Sequence, residues 1–258
     1  MRRASPDGAD HAGRVVFVPC EDWSPSEVVI RGAELHHIAH VLRFRKGERV
    51  EVVDGAGGRA LVEIVEISRA AARGAIVSRG ADEPRPPLAV RVAPAVIRAQ
   101  RMDWLIEKVT ELGAAAIAPV ISERTVVKPG ARGDGAHSQR WERIAIAAMK
   151  QSRRATCPRV FGPVPLETFL DGRSRESRLF VPWERAGTVL NGRLSEAPLD
   201  PAGPVDLLIG PEGGFSDSEA DMAREKGAEL VHLGRAVLRS ETAAIAALTI
   251  LLHRGGSL

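Results

Sequence analysis

The segment Leu61-Val62-Glu63-Ile64-Val65-Glu66-Ile67 alternates apolar and charged positions, the mark of a strand with one wet face. Similar strand signals run over Val15–Pro19, Glu48–Asp54, Arg59–Ser68 and Ala72–Ser78, with a short helix expected over Ala33–Leu42. Gly55-Ala56-Gly57-Gly58 reads as the hairpin loop between two of these strands. Together they predict a small, mostly antiparallel β unit over 14–80, a barrel, behind a disordered leader at 1–13. Asp82-Glu83-Pro84-Arg85-Pro86-Pro87 then forbids helix or central strand, so 81–87 reads as a linker.

Beyond the prolines the pattern changes. Strand signals at Leu88–Val96, Ala115–Ile121, Leu179–Pro182, Val205–Ile209 and Leu230–Leu233 alternate with helix signals at Met102–Leu112, Arg140–Ser152, Ser216–Lys226 and from Ser240 onward. This order predicts an α/β domain over 88–258, a mainly parallel sheet covered by helices. Pro129–Ser138, with three glycines, reads as a mobile loop.

Two turns carry the strongest chemical signal. The apolar run Leu207-Leu208-Ile209 ends abruptly in Gly210-Pro211-Glu212-Gly213-Gly214, and Ser216-Asp217-Ser218-Glu219 opens a helix. About twenty residues later Leu233-Gly234 ends a second strand. Glycine turns at the C-terminal ends of neighbouring strands are where α/β sheets place ligands, and they also serve as plain strand-to-helix turns. Neither G-x-G-x-x-G nor a Gly-Lys-Ser/Thr phosphate loop occurs here, which argues against a dinucleotide enzyme or a nucleotide hydrolase.

Composition adds little until the basic residues are separated. The 258-residue chain is 44% hydrophobic and 27% charged, with net charge +3. Of 36 basic residues only Lys46, Lys108, Lys128, Lys150 and Lys226 are lysines. Arginine presents a planar fork to phosphate, so an RNA or DNA surface is one reading; GC-rich coding gives the same bias without function. Cys20 and Cys157 form neither a zinc motif nor a disulfide framework. The polar residues 1–13 make no signal peptide, and Ala243–Leu252 is too short to span a bilayer, so a soluble, cytoplasmic protein is expected.

Arg98 and Arg101 stand at the end of the first strand of the second domain, on the ligand-bearing edge if the sheet is parallel. Lys150-Gln151-Ser152-Arg153-Arg154 closes a helix; its cations suit the helix dipole and equally suit phosphate. Arg239-Ser240-Glu241-Thr242 opens the last helix, as a plain cap or as a substrate contact.

In order, several of these segments resemble the RsmE family of 16S rRNA uracil-N3 methyltransferases, of the SPOUT class. The matching pieces are Leu35-His36-His37-Ile38 with Val41-Leu42-Arg43, Arg101-Met102-Asp103-Trp104 through Thr110-Glu111-Leu112-Gly113, and Ser122-Glu123-Arg124. They continue with Lys150-Gln151-Ser152-Arg153-Arg154, Ile209 through Ser216, and Leu233-Gly234 with Leu238 through Ala243. The resemblance implies a PUA-like β-barrel followed by a trefoil-knotted SPOUT domain, working as a homodimer on 16S rRNA, free or in the 30S subunit, without a metal. It implies S-adenosylmethionine in three loops, Phe180–Glu184, Ile209–Gly214 and Leu233–Arg239, with contacts from Val181, Pro182, Ile209, Gly210, Glu212, Gly213, Gly214, Leu233, Gly234 and Leu238. Two departures stand out: Arg98 where the family often has lysine, and Arg235-Ala236-Val237 where it commonly has Pro-Arg-Ile.

Methylating N3 of uracil requires a base to take the N3 proton, or a positive group to stabilise the uracil anion. Arg239 and Arg101 are candidates for the anion, and Glu241 or Glu212 for the proton. The resemblance assigns RNA contacts to Arg31, Arg43, Arg45, Arg98, Arg101, Lys150, Arg153 and Arg154. Ribose 2′-O methylation of tRNA by the same fold, or a non-catalytic RNA-binding assembly role, are the competing readings.

Overall fold

The computed structural model describes residues 14–84, 86–125 and 134–258. The expected leader at 1–13, Arg85 of the expected linker, and residues 126–133, which include part of the expected mobile loop, lie outside the described residues. The chain divides into two units, residues 1–85 with 149–157, and residues 86–148 with 158–258.

The first unit is built on β1 (Val15–Phe17), β2 (Glu27–Ile30), β3 (Arg49–Val53), β4 (Arg59–Ile67) and β5 (Ala72–Arg79), in the sheet order β1-β3-β4-β5-β2. Only the β1–β3 pair is parallel. Alternation puts Val50 and Val52 of β3, and Ala60, Val62 and Ile64 of β4, into one core with Val16, Val28, Ile30 and Phe44. The helix α1 (Gly32–His36) continues as a π-helical turn over His37–Val41, and its Leu35 and Ile38 cover this core. Strand β2 is short and follows a turn-rich run, so it escapes the sequence reading.

Residues 149–157 belong to this unit, although the sequence reading places them in the 88–258 domain. The Glu83 carboxylate accepts the N–H groups of Ala155 and Thr156 at 2.5 and 2.9 Å, and Gly57 donates to the Ala155 carbonyl at 3.0 Å. Val15, Val53, Met149 and Ala155 form a small satellite core.

The second unit holds β6 (Val90–Pro94), α2 (Ala99–Leu112), β7 (Ala116–Ile117), β8 (Val120–Ile121), most of α3 (Asp134–Gln151), β9 (Arg159–Val160), β10 (Val164–Pro165) and α4 (Leu166–Asp171). It continues through β11 (Arg178–Pro182), α5 (Leu190–Glu196), β12 (Val205–Ile209), α6 (Asp217–Glu225), β13 (Ala228–Val231) and α7 (Ser240–Arg254). The main sheet runs β13-β11-β12-β6-β7-β9 with every pair parallel, and β8 pairs with β10 beside it. All five residues of β12 are buried, which is why the unbroken run Val205–Ile209 reads directly as a central strand.

Three expectations shift. Ala115–Ile121 divides into β7 and β8 at Ala118-Pro119, because proline has no N–H for a ladder. Helix α3 begins at Asp134, not Arg140, and so takes in the end of the expected loop. Strand β13 ends at Val231, so His232 and Leu233 already belong to the turn. Because the sheet is parallel, the segments after β6, β11, β12 and β13 all leave from one edge.

Candidate active site

The turn after β12 is fixed from several sides. The Ile209 carbonyl accepts the Ala95 N–H at 2.7 Å, and Gly214 donates to the Pro211 carbonyl at 2.9 Å. Gly214 has φ +66°, and a Cβ on Gly210 would lie 3.2 Å from the ring of the buried Phe215. Both positions therefore favour glycine. Ser216 caps α6 in a reciprocal capping box with Glu219. The buried Glu219 carboxylate also accepts the Glu123 N–H at 2.7 Å, while Arg124 Nη1 donates to the Gly213 carbonyl at 2.8 Å. The run Ser122-Glu123-Arg124 thus anchors the glycine turn.

Two further turns complete a cleft. After β11, the Trp183 N–H donates to the Val231 carbonyl at 2.8 Å, and Trp183 Nε1 is buried without a hydrogen-bond partner among the described residues. After β13, His232 Nδ1 lies 3.2 Å from the Gly234 carbonyl and Gly234 takes φ +147°. Pro182, Ile209, Gly210, Glu212, Gly213, Gly214, Leu233, Gly234 and Leu238 all line the cleft. Val181 does not: its side chain is buried in the core of the unit, because alternation along β11 turns it away. Trp183 and Val237, inside the loops that the resemblance assigns to the cofactor, also line the cleft, as do Ser240 and Ala243 in the first turn of α7.

Beside this cleft, Arg101 stands between two carboxylates. Its Nη1 is 3.7 Å from Glu212 Oε1 and its Nε is 3.9 Å from Glu241 Oε1. These are ion-pair distances, too long for good hydrogen bonds, so the guanidinium retains donors for a ligand. Glu241 lies in the first turn of α7, and its Oε2 is buried without a hydrogen-bond partner among the described residues. Arg98 is the N-cap residue of α2 and Arg239 that of α7, and both are exposed. The Arg98 N–H lies 3.4 Å from Glu212 Oε1. Arg101, Glu212 and Glu241 are thus brought together, and Arg239 directly precedes Ser240 on the cleft wall.

The cations assigned to RNA in the first unit fall into two groups. Arg31 pairs with Asp22, Lys150 with Glu34, and Arg154 with Glu83 at 3.0 Å. Arg43, Arg45 and Arg153 are exposed and form no ion pair among the described residues. Among the described residues no group of three or more His, Cys, Asp or Glu side chains could hold a metal, and no helix is long and apolar enough to cross a membrane.

The RNA methyltransferase domain family matches residues 84–252, and the RNA methyltransferase PUA domain family matches residues 30–76. Ribosomal RNA small subunit methyltransferase E of Synechocystis sp. is 32% identical over 238 residues, covering 92% of this chain and 76% of that protein. The protein of the same name in Mycobacterium bovis is 35% identical over 226 residues, covering 85% and 84%. The crystal structure of ribosomal RNA small subunit methyltransferase E from Neisseria gonorrhoeae, bound to S-adenosyl methionine, superposes with TM-score 0.82 at 29% identity, covering 92% of this chain and 95% of that one. The first unit is accordingly PUA-like and the second has the SPOUT methyltransferase fold. The chain belongs to the ribosomal RNA small subunit methyltransferase E family.

Proposed function

We propose that this protein transfers a methyl group from S-adenosylmethionine to N3 of a uridine near the 3′ end of 16S rRNA. The observation that carries this reading is Arg101 held between Glu212 and Glu241 beside a cleft built from three backbone turns. The cleft suits the cofactor. Glycines at 210, 213 and 214 let a ligand approach the main chain, and the unpartnered Trp183 Nε1 offers a buried donor. When bound there, S-adenosylmethionine supplies an electrophilic methyl group on a positively charged sulfur, so neither a metal nor a covalent nucleophile is needed.

The protein's own residues then have three tasks: holding an extracted base, taking its proton and stabilising the resulting charge. Glu241, with a free buried oxygen, takes the N3 proton. Arg101 and Arg239 offer positive charge to the uracil oxygens as the ring becomes anionic. The N3 lone pair exposed by proton loss would then take the methyl group, the electron pair of the broken methyl–sulfur bond remaining on the sulfur, which becomes a neutral thioether. We further propose a homodimer, a cytoplasmic location and 16S rRNA, free or within the 30S particle, as partner. Light scattering that gave a monomer mass at working concentration would contradict the dimer.

The experiment is mass mapping of 16S rRNA nucleosides from cells lacking this protein, with and without the gene restored. The expected result is that a 3-methyluridine near the 3′ end disappears and returns. Loss of a ribose 2′-O-methyl mark instead would replace this reading with its rival.

A further inference from the structure

Eleven described residues adopt a left-handed backbone, and nine of them are glycines. The other two are Arg43, at φ 56°, and Arg153, at φ 58°. An L-residue reaches this region only against a steric penalty, since its Cβ crowds the following carbonyl. Where helix α2 ends, the same position is filled by Gly113, at φ 97°.

Arg153 occupies the corresponding place after α3. Its N–H donates to the Lys150 carbonyl at 3.2 Å, and the Arg154 N–H donates to the Met149 carbonyl at 3.0 Å. That pair of bonds is the helix-ending motif in which glycine is the usual left-handed residue. Arg43 follows the π-helical turn in a similar way, with the Phe44 N–H donating to the Ile38 carbonyl at 2.9 Å. Both arginines belong to the first unit, where the Lys150–Glu34 ion pair joins the end of α3 to α1.

Charge pairing separates them from their neighbours. Lys150, Arg154 and Arg31 each have a carboxylate partner, whereas Arg43 and Arg153 are exposed and have none among the described residues. A side chain kept at a glycine position, without a partner, does nothing for the fold that glycine would not do better. We infer that Arg43 and Arg153 are two phosphate-binding points for RNA, each projected from a helix end by its left-handed backbone. This rests on the rRNA reading above and adds to it two phosphate contacts of the first unit, setting the ion-paired Lys150 and Arg154 aside as structural.

Glycine substitution is the informative test, because it removes the guanidinium and relieves the backbone together. The full-length protein would be titrated with an unmodified transcript of the 3′ part of 16S rRNA over a series of salt concentrations, as wild type, Arg43→Gly, Arg153→Gly and the double variant. Each arginine–phosphate pairing removed should flatten the slope of log K against log salt by roughly 0.7–0.9. Melting temperature should stay the same or rise in the glycine variants. Arg43→Asn and Arg153→Asn, which also tolerate this backbone, should show the same flattening. Unchanged slopes would overturn the inference while leaving the rRNA reading intact. A lower melting temperature in both the glycine and the asparagine variants would also overturn it, by giving the arginines a structural role. A wild-type protein that binds neither this RNA nor 30S subunits lacking the mark would overturn both.

Discussion

The Glu219 carboxylate accepts the backbone N–H of Glu123 at 2.7 Å, tying the start of α6 to the segment that follows β8. The same side chain closes the capping box with Ser216, two residues past the glycine turn. Removing it therefore acts on the cleft through the backbone. Glu219→Ala should lower stability by about 2–3 kcal/mol. It should also weaken S-adenosylmethionine binding by about tenfold, read by calorimetry. An unchanged cofactor affinity would show that the turn holds its shape without this anchor.

Arg239 and Glu241 should fail differently from the cleft residues. Arg239→Ala should abolish methyl transfer while leaving the cofactor bound, because we place its exposed side chain on the substrate side. An equal loss of cofactor affinity would refute that placement. Glu241→Gln should reduce kcat by about 10²–10⁴-fold with little change in KM, the signature of a lost general base. A variant with full kcat would return the proton to water or to Glu212.

Asp206 tests the support beneath the site. Its buried carboxylate accepts Arg91 Nε at 2.6 Å, Arg173 Nε at 3.0 Å and Ser177 Oγ at 2.8 Å. Asp206→Ala leaves the nearly buried Arg173 without its counter-charge. The expected loss is about 3–5 kcal/mol in denaturant titration. A loss below about 1 kcal/mol would mean that water replaces the carboxylate there.

Glu229 gives the stability a defined acid limb. Burial pushes its carboxyl up, but the guanidinium groups of Arg178 and Arg193 outweigh that and hold it below the ordinary value of 4.5. A lowered folded pKa means that the contribution is fully present above that value and is lost as pH falls through the folded pKa. Glu229→Gln should therefore be less stable than wild type by about 1–3 kcal/mol at neutral pH. The gap should narrow below pH 4.5. A gap that stays constant down to acid pH would contradict the assignment.

Local chemistry decided what was legible beforehand. Strand Val205–Ile209 could be read because it is buried on both faces, and the start of α6 because Ser216 and Glu219 form a capping box within four residues. The cleft followed from its glycines. The pairing of Arg101 with Glu212 and Glu241 was not legible, since it joins α2, the turn after β12 and α7. The same limit applies to Lys150 and Arg154: their partners Glu34 and Glu83 lie far away in sequence, so a run that reads as one basic cluster divides into paired and unpaired cations. Helices α4 and α5 were missed because each spans only a turn or two and carries no sustained periodicity.

The most direct measurement is methyl transfer from labelled S-adenosylmethionine to 30S subunits that lack the mark, followed by mass analysis of the nucleosides. Label is expected in 3-methyluridine near the 3′ end of 16S rRNA, and none with Arg239→Ala. Transfer to a ribose oxygen, or no transfer while the cofactor is bound, would contradict this expectation.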